Sequence, residues 1–191
     1  MMLNVIMAVL LASTGVAAGA GPTDTVQAAL QQIFPSQSGA PVQSSTDKRR
    51  AEIRQVAESL FDFEEMSRRS LGGHWEQIPR AEKEEFTRLF ANLIATSYMG
   101  KIEQYASEPI QYVGERVDGS EATVQSRIIT PKGSQVNVEY RLSRHGDRWS
   151  AYDVYVDGIS LVGNYRTQFN RIIQRSSFAE LLKTLRQKVG S

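Results

Sequence analysis

The sequence predicts an α+β domain in which N- and C-terminal helices cover a four-stranded antiparallel meander. Three observations carry that prediction. The spacing of apolar residues changes from about 3.6 to 2 after Pro109 and returns to about 3.6 beyond Gly158. The short stretches "DGSE", "PKGS" and "RHGD" divide the alternating part into hairpins. Helices precede and follow one run of strands, which is the order of an α+β fold with helices packed on one curved sheet.

Residues 1–20 contain no charged side chain, and their apolar run from Val5 to Leu11 is too short to span a bilayer. Ala18-Gly19-Ala20 supplies the small-x-small pattern of a cleavage site, so residues 1–20 are expected to be a signal peptide, although the n-region lacks Lys and Arg. Residues 21–46 hold a first helix, with Val26, Leu30 and Ile33 at helical spacing, and the Pro/Gly/Ser-rich connector "PSQSGAPVQSST". The main domain is expected over 47–191.

That domain opens with a helix whose buried face is Ile53, Val56, Ala57, Leu60 and Phe61. A short helix over "FDFEEMSRRSLGGHW" is expected to close at Gly72-Gly73. Pro79 opens a third long helix, where its missing N–H costs nothing. Glu82, Glu84 and Glu85 sit near the positive end of its dipole. Its apolar stripe is Phe86, Leu89, Phe90, Leu93, Ile94 and Tyr98, and it is expected to fade before Pro109.

The strands are expected at Ile110–Val117, Ala122–Thr130, Gln135–Ser143 and Arg148–Asp157. In the third, Val136, Val138, Tyr140 and Leu142 share one face, and the other is polar, as in a sheet with one solvated side. In the fourth, strict alternation puts Trp149, Ala151, Asp153, Tyr155 and Asp157 on one face, with Ser150, Tyr152, Val154 and Val156 on the other. Two helices end the chain. The first shows Val162, Tyr165, Phe169, Ile172 and Ile173; the second starts with Ser177 and Glu180 in capping-box spacing.

Composition narrows the function. The 191 residues carry 22 basic and 21 acidic side chains, for a net charge of +1. That balance argues against nucleic acid, whose binding needs a basic excess. There is no cysteine and there are only two histidines, which removes thiol nucleophiles and makes a zinc site improbable. No G-x-S-x-G elbow and no glycine-rich phosphate loop is present.

Two readings of the alternating fourth strand remain open at this point. Asp153 or Asp157 would act as a general base if burial in a cone of sheet and helices raised its pKa, as in an isomerase or hydratase. Alternatively, both sit on a solvated face or pair with arginines across strands. The large apolar stripes are equally compatible with a filled core and with a lined cavity, because periodicity does not distinguish them.

Two segments resemble a known family: "LGGHWEQIPRAEKEEFTRLFANLIATSYMGKIEQY" and "YDVYVDGISLVGNYRTQFNRIIQRSSFAELLKTLRQK". The pattern of Leu71-Gly72, Trp75, Phe86, Phe90, Tyr98, Asp153-Val154, Gly158, Ser160-Leu161-Val162, Asn164-Tyr165-Arg166 and Phe169 is similar to that of the MlaC (toluene-tolerance, Ttg-type) family. These are periplasmic phospholipid-binding proteins, and hopanoid-associated members share the pattern. The resemblance spans roughly residues 51–188.

It implies an NTF2-like-related cone that holds acyl tails in an apolar cavity and has no enzymatic step, cofactor or metal. On this reading the third long helix contributes Phe86, Phe90, Leu93, Ile94 and Tyr98 to the cavity wall. The sheet contributes Val138, Tyr140 and Val154, and the following helix Leu161, Val162, Tyr165 and Phe169. Arg68, Arg69, Arg144 and Arg166 are candidates for meeting a lipid headgroup or an acidic partner surface. The implied partners are a phospholipid, an outer-membrane lipoprotein complex and an inner-membrane MCE-domain ABC transporter. Stable membrane insertion after signal cleavage is not expected.

The physics of that job is simple. Two acyl tails hold roughly 30 methylenes, each costing about 0.8 kcal/mol to expose, so a carrier hides on the order of 20 kcal/mol of apolar surface. A dry cavity does this without any reactive group.

Overall fold

The computed structural model of the chain describes residues 19–34, 46–105, 107–130 and 132–189. The expected signal segment, apart from Gly19 and Ala20, and residues 35–45 of the connector lie outside the described residues. The elements run α1 (Pro22–Ile33), α2 (Thr46–Leu60), α3 (Phe63–Leu71) and α4 (Arg80–Gln104), then β1 (Ile110–Asp118), β2 (Glu121–Ile129), β3 (Gln135–His145), β4 (Arg148–Val156) and β5 (Ile159–Ser160), and finally α5 (Leu161–Arg175) and α6 (Phe178–Val189). Among the described residues no helix is long and apolar enough to cross a membrane.

The sheet is an antiparallel meander in the order β1-β2-β3-β4-β5. It has five strands rather than the expected four. The extra strand, β5, pairs Tyr155 with Ser160 and Val156 with Ile159. Asp157 and Gly158 form the two-residue turn between β4 and β5 and have φ of 47° and 81°. Positive φ at both central positions is what the right-handed twist of a tight hairpin demands, and Asp-Gly supplies it at low cost. A two-residue strand is too short to show alternation, so sequence pattern alone merges it with the turn.

A second difference lies inside β4. Leu142 pairs with Ala151 but Arg141 pairs with Asp153, so Tyr152 is an extra residue in the ladder. This bulge inverts the facing of everything after it. Trp149, Ala151, Val154 and Val156 oppose Arg144, Leu142, Tyr140 and Val138 on one face. Asp153 and Tyr155 lie on the other, so the alternation expected along the whole strand breaks at Tyr152. The neighbouring chain meets this point: Phe61 bridges Ala151, and the Asp62 N–H donates to the Ala151 carbonyl at 2.9 Å. Asp62 also caps α3 by accepting from the Glu65 N–H at 2.9 Å.

Helix α3 closes at Gly72 as expected, and its cap N–H donates to the Arg68 carbonyl. Gly72 takes φ of 55°, and the chain continues as a 3-10 turn over Gly72–Gln77 that buries Trp75. The helix begun by Pro79 runs past Gly100 to Gln104, six residues beyond Tyr98.

Two apolar clusters result. One joins α1, α2 and the end of α4 to the inner face of β2, β3 and β4. The other joins α3, the 3-10 turn, the first half of α4, α5, α6 and Tyr152. Phe61 touches both. Helix α4 therefore serves two cores: Phe86, Leu89, Phe90 and Leu93 in one, Met99 and Ile102 in the other.

Candidate functional site

The first cluster is not filled. A cavity of about 470 Å³ lies inside it, within the range of small-molecule pockets. Its walls come from four directions. Helix α1 gives Leu30, Ile33 and Phe34; α2 gives Ile53, Ala57 and Leu60; α4 gives Ile94, Ala95, Tyr98, Met99 and Ile102. The sheet gives Ile110, Ile128, Val136, Val138, Tyr140 and Val154, and Leu161 closes the side next to α5. Solvent-exposed liners mark the mouth: Arg54 on α2, Lys101 on α4, Val156, Asp157 and Ile159 around the β4–β5 turn, and Asn164 on α5. Ile159 is 68% exposed, an apolar side chain at the rim.

The wall is dry enough to govern its own titrations. Burial drives the Tyr140 hydroxyl far above the ordinary tyrosine range, with the Tyr112 charge adding to the effect and the Ser126 hydrogen bond opposing it. Burial likewise pushes Tyr112 up to about 12. Tyr98 is raised by burial and then by the nearby Tyr165.

Of the twelve residues assigned to a cavity wall, Ile94, Tyr98, Val138, Tyr140, Val154 and Leu161 line this hollow. Phe86, Phe90, Leu93, Val162, Tyr165 and Phe169 do not; they belong to the second cluster. That cluster is packed with rings. Phe90 meets Tyr165 and Phe169 edge-on with centroids 5.1 and 5.3 Å apart, and Phe86 meets Phe169 edge-on at 5.4 Å. Such pairs contribute about 0.5–1.5 kcal/mol each beyond buried area. Both groups sit on the same apolar stripes, and helical spacing does not say which end of a stripe is filled. The α1 and α2 contributors were visible as stripes, but only tertiary structure turns them toward a hollow.

The arginines separate in the same way. Arg68, Arg69 and Arg166 surround a second hollow of about 360 Å³ with Gly72, Glu76, Asp153, Ser160, Val162 and Gly163. It lies across the β5–α5 junction from the cavity, and the two share only Ser160 among their liners. Arg68 and Arg69 are committed to Glu65 at 2.6 and 2.7 Å. The Arg68 hydrogen bond, with help from Arg69, holds the Glu65 carboxyl below the usual range against an opposing push from burial. Arg69 also stacks over Tyr152, 3.8 Å from its centroid. Arg166 lies against Gly72, where an added Cβ would come within 3.1 Å of the guanidinium. Arg144 is elsewhere, 5.8 Å over the Trp149 ring.

The two aspartates have distinct and local partners. Asp153 is 7% exposed. Its Oδ1 accepts from the N–H groups of Val154 and Val162 at 2.8 and 3.0 Å, and its Oδ2 accepts from the Ser160 hydroxyl at 2.5 Å. Ser160 in turn caps α5 by accepting from the Gly163 N–H at 2.8 Å. The carboxylate thus locks β4 to the first turn of α5, where the helix dipole favours negative charge. It is not among the cavity's liners. Asp157 does line the mouth, and its Oδ1 accepts from the backbone and side-chain N–H groups of Asn137 at 3.0 and 3.3 Å.

Fold and cavity together define an α+β cavity protein, with helices and one antiparallel sheet enclosing an apolar hollow. The family model described as "MlaC protein" matches residues 24–187, and the chain belongs to the MlaC family. Among solved structures, the chain is similar to a phospholipid-binding protein from Ralstonia solanacearum in complex with a phospholipid, with a TM-score of 0.77 and 22% identity over 90% of this chain and 98% of that one. No curated protein matches the sequence.

Proposed function

We propose that this chain is a periplasmic phospholipid carrier that shields acyl tails in the cavity between α1, α2, α4 and the sheet. The observation that carries the reading is the cavity itself: an apolar hollow of about 470 Å³, partly open to solvent and lined mainly by aliphatic and aromatic side chains. Family membership and a like-folded protein solved with a phospholipid support the same ligand class. Nothing in these likenesses points to a hopanoid. On this reading residues 1–20 direct export, and the loaded carrier shuttles lipid between an outer-membrane lipoprotein complex and an inner-membrane MCE-domain ABC transporter.

The cone-enzyme alternative is not favoured, because the buried Asp153 spends its oxygens on the start of α5 rather than facing the cavity. A carrier needs no general base. Its requirement is removal of tail surface from water, worth about 0.8 kcal/mol per methylene.

Native mass spectrometry after gentle purification is the test. The expected result is an adduct with the mass of a two-tailed lipid that Ala95→Trp, placed in the cavity wall, reduces strongly. A protein that carries no lipid adduct, and takes none up from phospholipid vesicles, overturns the reading.

A further inference from the structure

We propose that Arg54 and Lys101 form the anion-recognition pair of the cavity, gripping the phosphate of a lipid whose tails lie inside; this rests on the carrier reading above. Both residues line the cavity and both are solvent-exposed, which places them at its mouth. They are the cations among its described liners, one from each of the helices that flank the opening.

Neighbouring cations are already committed. Arg50, one turn before Arg54 on α2, pairs with Glu103 on α4 at 2.8 Å. Arg49 donates to the Ile33 carbonyl at the end of α1. Around the second hollow, Arg68 and Arg69 share Glu65. The side chains of Arg54 and Lys101, by contrast, have no ion-pair or hydrogen-bond partner among the described residues. The Arg50–Glu103 pair links α2 to α4, the two helices that carry these uncommitted charges. The acidic liner, Asp157, is tied to Asn137 and does not neutralise them.

Chemistry favours an oxyanion there. The guanidinium offers a fork of donors matched to two phosphate oxygens, and the ammonium adds a mobile point charge. Arginine and lysine can lay their long aliphatic stems along apolar surface while keeping the charged ends in water, which suits a cavity mouth. Tails inside and phosphate at the rim therefore satisfy both ends of an amphiphile at once. The arginines around the second hollow are on the far side of the β5–α5 junction and do not reach this rim from their own pocket.

The test compares two probes with identical fluorescent acyl tails, phosphatidylglycerol and diacylglycerol, titrated against wild type, R54Q/K101Q, R54K/K101R and R166Q. Charge-assisted hydrogen bonds of ordinary strength predict about tenfold to hundredfold weaker phosphatidylglycerol binding by R54Q/K101Q. Diacylglycerol affinity is expected to be unchanged, R54K/K101R to retain most of the binding, and R166Q to match wild type. Equal loss for both probes, or no loss for either, overturns the proposal. So does a variant whose equilibrium affinity is intact but whose uptake from anionic vesicles slows, which assigns the charges to a bilayer surface. Competition by inorganic phosphate against phosphatidylglycerol separates the headgroup from a free-phosphate site: effective competition at low concentration in tail-free protein would make this a phosphate site and overturn the lipid assignment. A wild-type protein that binds neither lipid removes the carrier reading itself, and the pair's role falls with it.

Discussion

Asp153 joins strand, turn and helix through three accepted hydrogen bonds, and its position owes everything to the bulge at Tyr152. Replacing it with alanine leaves the Val162 N–H and the Ser160 hydroxyl without their acceptor in a buried place. A loss of about 1–3 kcal/mol is expected, read by urea denaturation, and Asp153→Asn should recover part of it. Two sheet tyrosines, Tyr140 on the cavity wall and Tyr112 packed against the same cluster, give a second residue-scale expectation. Their folded-state pKa values are raised, so the neutral form is favoured when folded. Their contribution is complete below the unfolded tyrosine pKa near 10 and declines as pH rises from there toward about 12, the range of Tyr112. Thermal melts across that alkaline window should fall for the wild type and fall less for Tyr140→Phe, while spectrophotometric titration should show late-ionising phenols, Tyr112 and Tyr140 among them.

At the scale of elements, α4 is the informative one. Its first half contributes Phe86 and Phe90 to a ring-packed core, and its second half turns Ile94, Tyr98 and Ile102 to the hollow. The stripe was legible because Phe, Leu and Ile recur at helical spacing, but a single stripe serves two environments along 25 residues. Phe90→Ala is expected to cost about 3–5 kcal/mol, the range for emptying a packed aromatic position. Tyr98→Ala, at the wall of a space that is already open, should cost clearly less and should instead diminish the lipid adduct. Chemical denaturation and native mass spectrometry on the same two variants check this, and reversed effects would mean that the two halves of α4 have been assigned the wrong way round.

For the whole molecule, a cavity that accepts ligand only in the folded state links binding to stability. A lipid present at a hundredfold excess over its Kd adds about 2.7 kcal/mol. For a chain of this size that corresponds to a Tm increase of roughly 5–10 °C. Calorimetry of lipid-loaded and delipidated protein should show it, and equal melting temperatures would count against a lipid seated in this hollow.

What the sequence by itself determined is the family and the order and type of the longer elements, though not β5 or the 3-10 turn, because those longer elements rest on local chemistry. Alternation, helical spacing, Pro79 and the hairpin turns "DGSE", "PKGS" and "RHGD" act over a few residues, and they read the same wherever the segment ends up. Tertiary structure alone decided which stripes pack and which line empty space. Phe90 and Tyr98 lie on one helix at similar spacing, yet one meets rings from α5 and the other meets a gap between α2, α4 and the sheet. It also decided that Asp153 leaves the face of Ala151, since one unpaired residue reverses every side chain after it. A void, a bulge and an uncommitted charge are properties of how distant segments meet, and local pattern carries no record of a neighbour that is far along the chain.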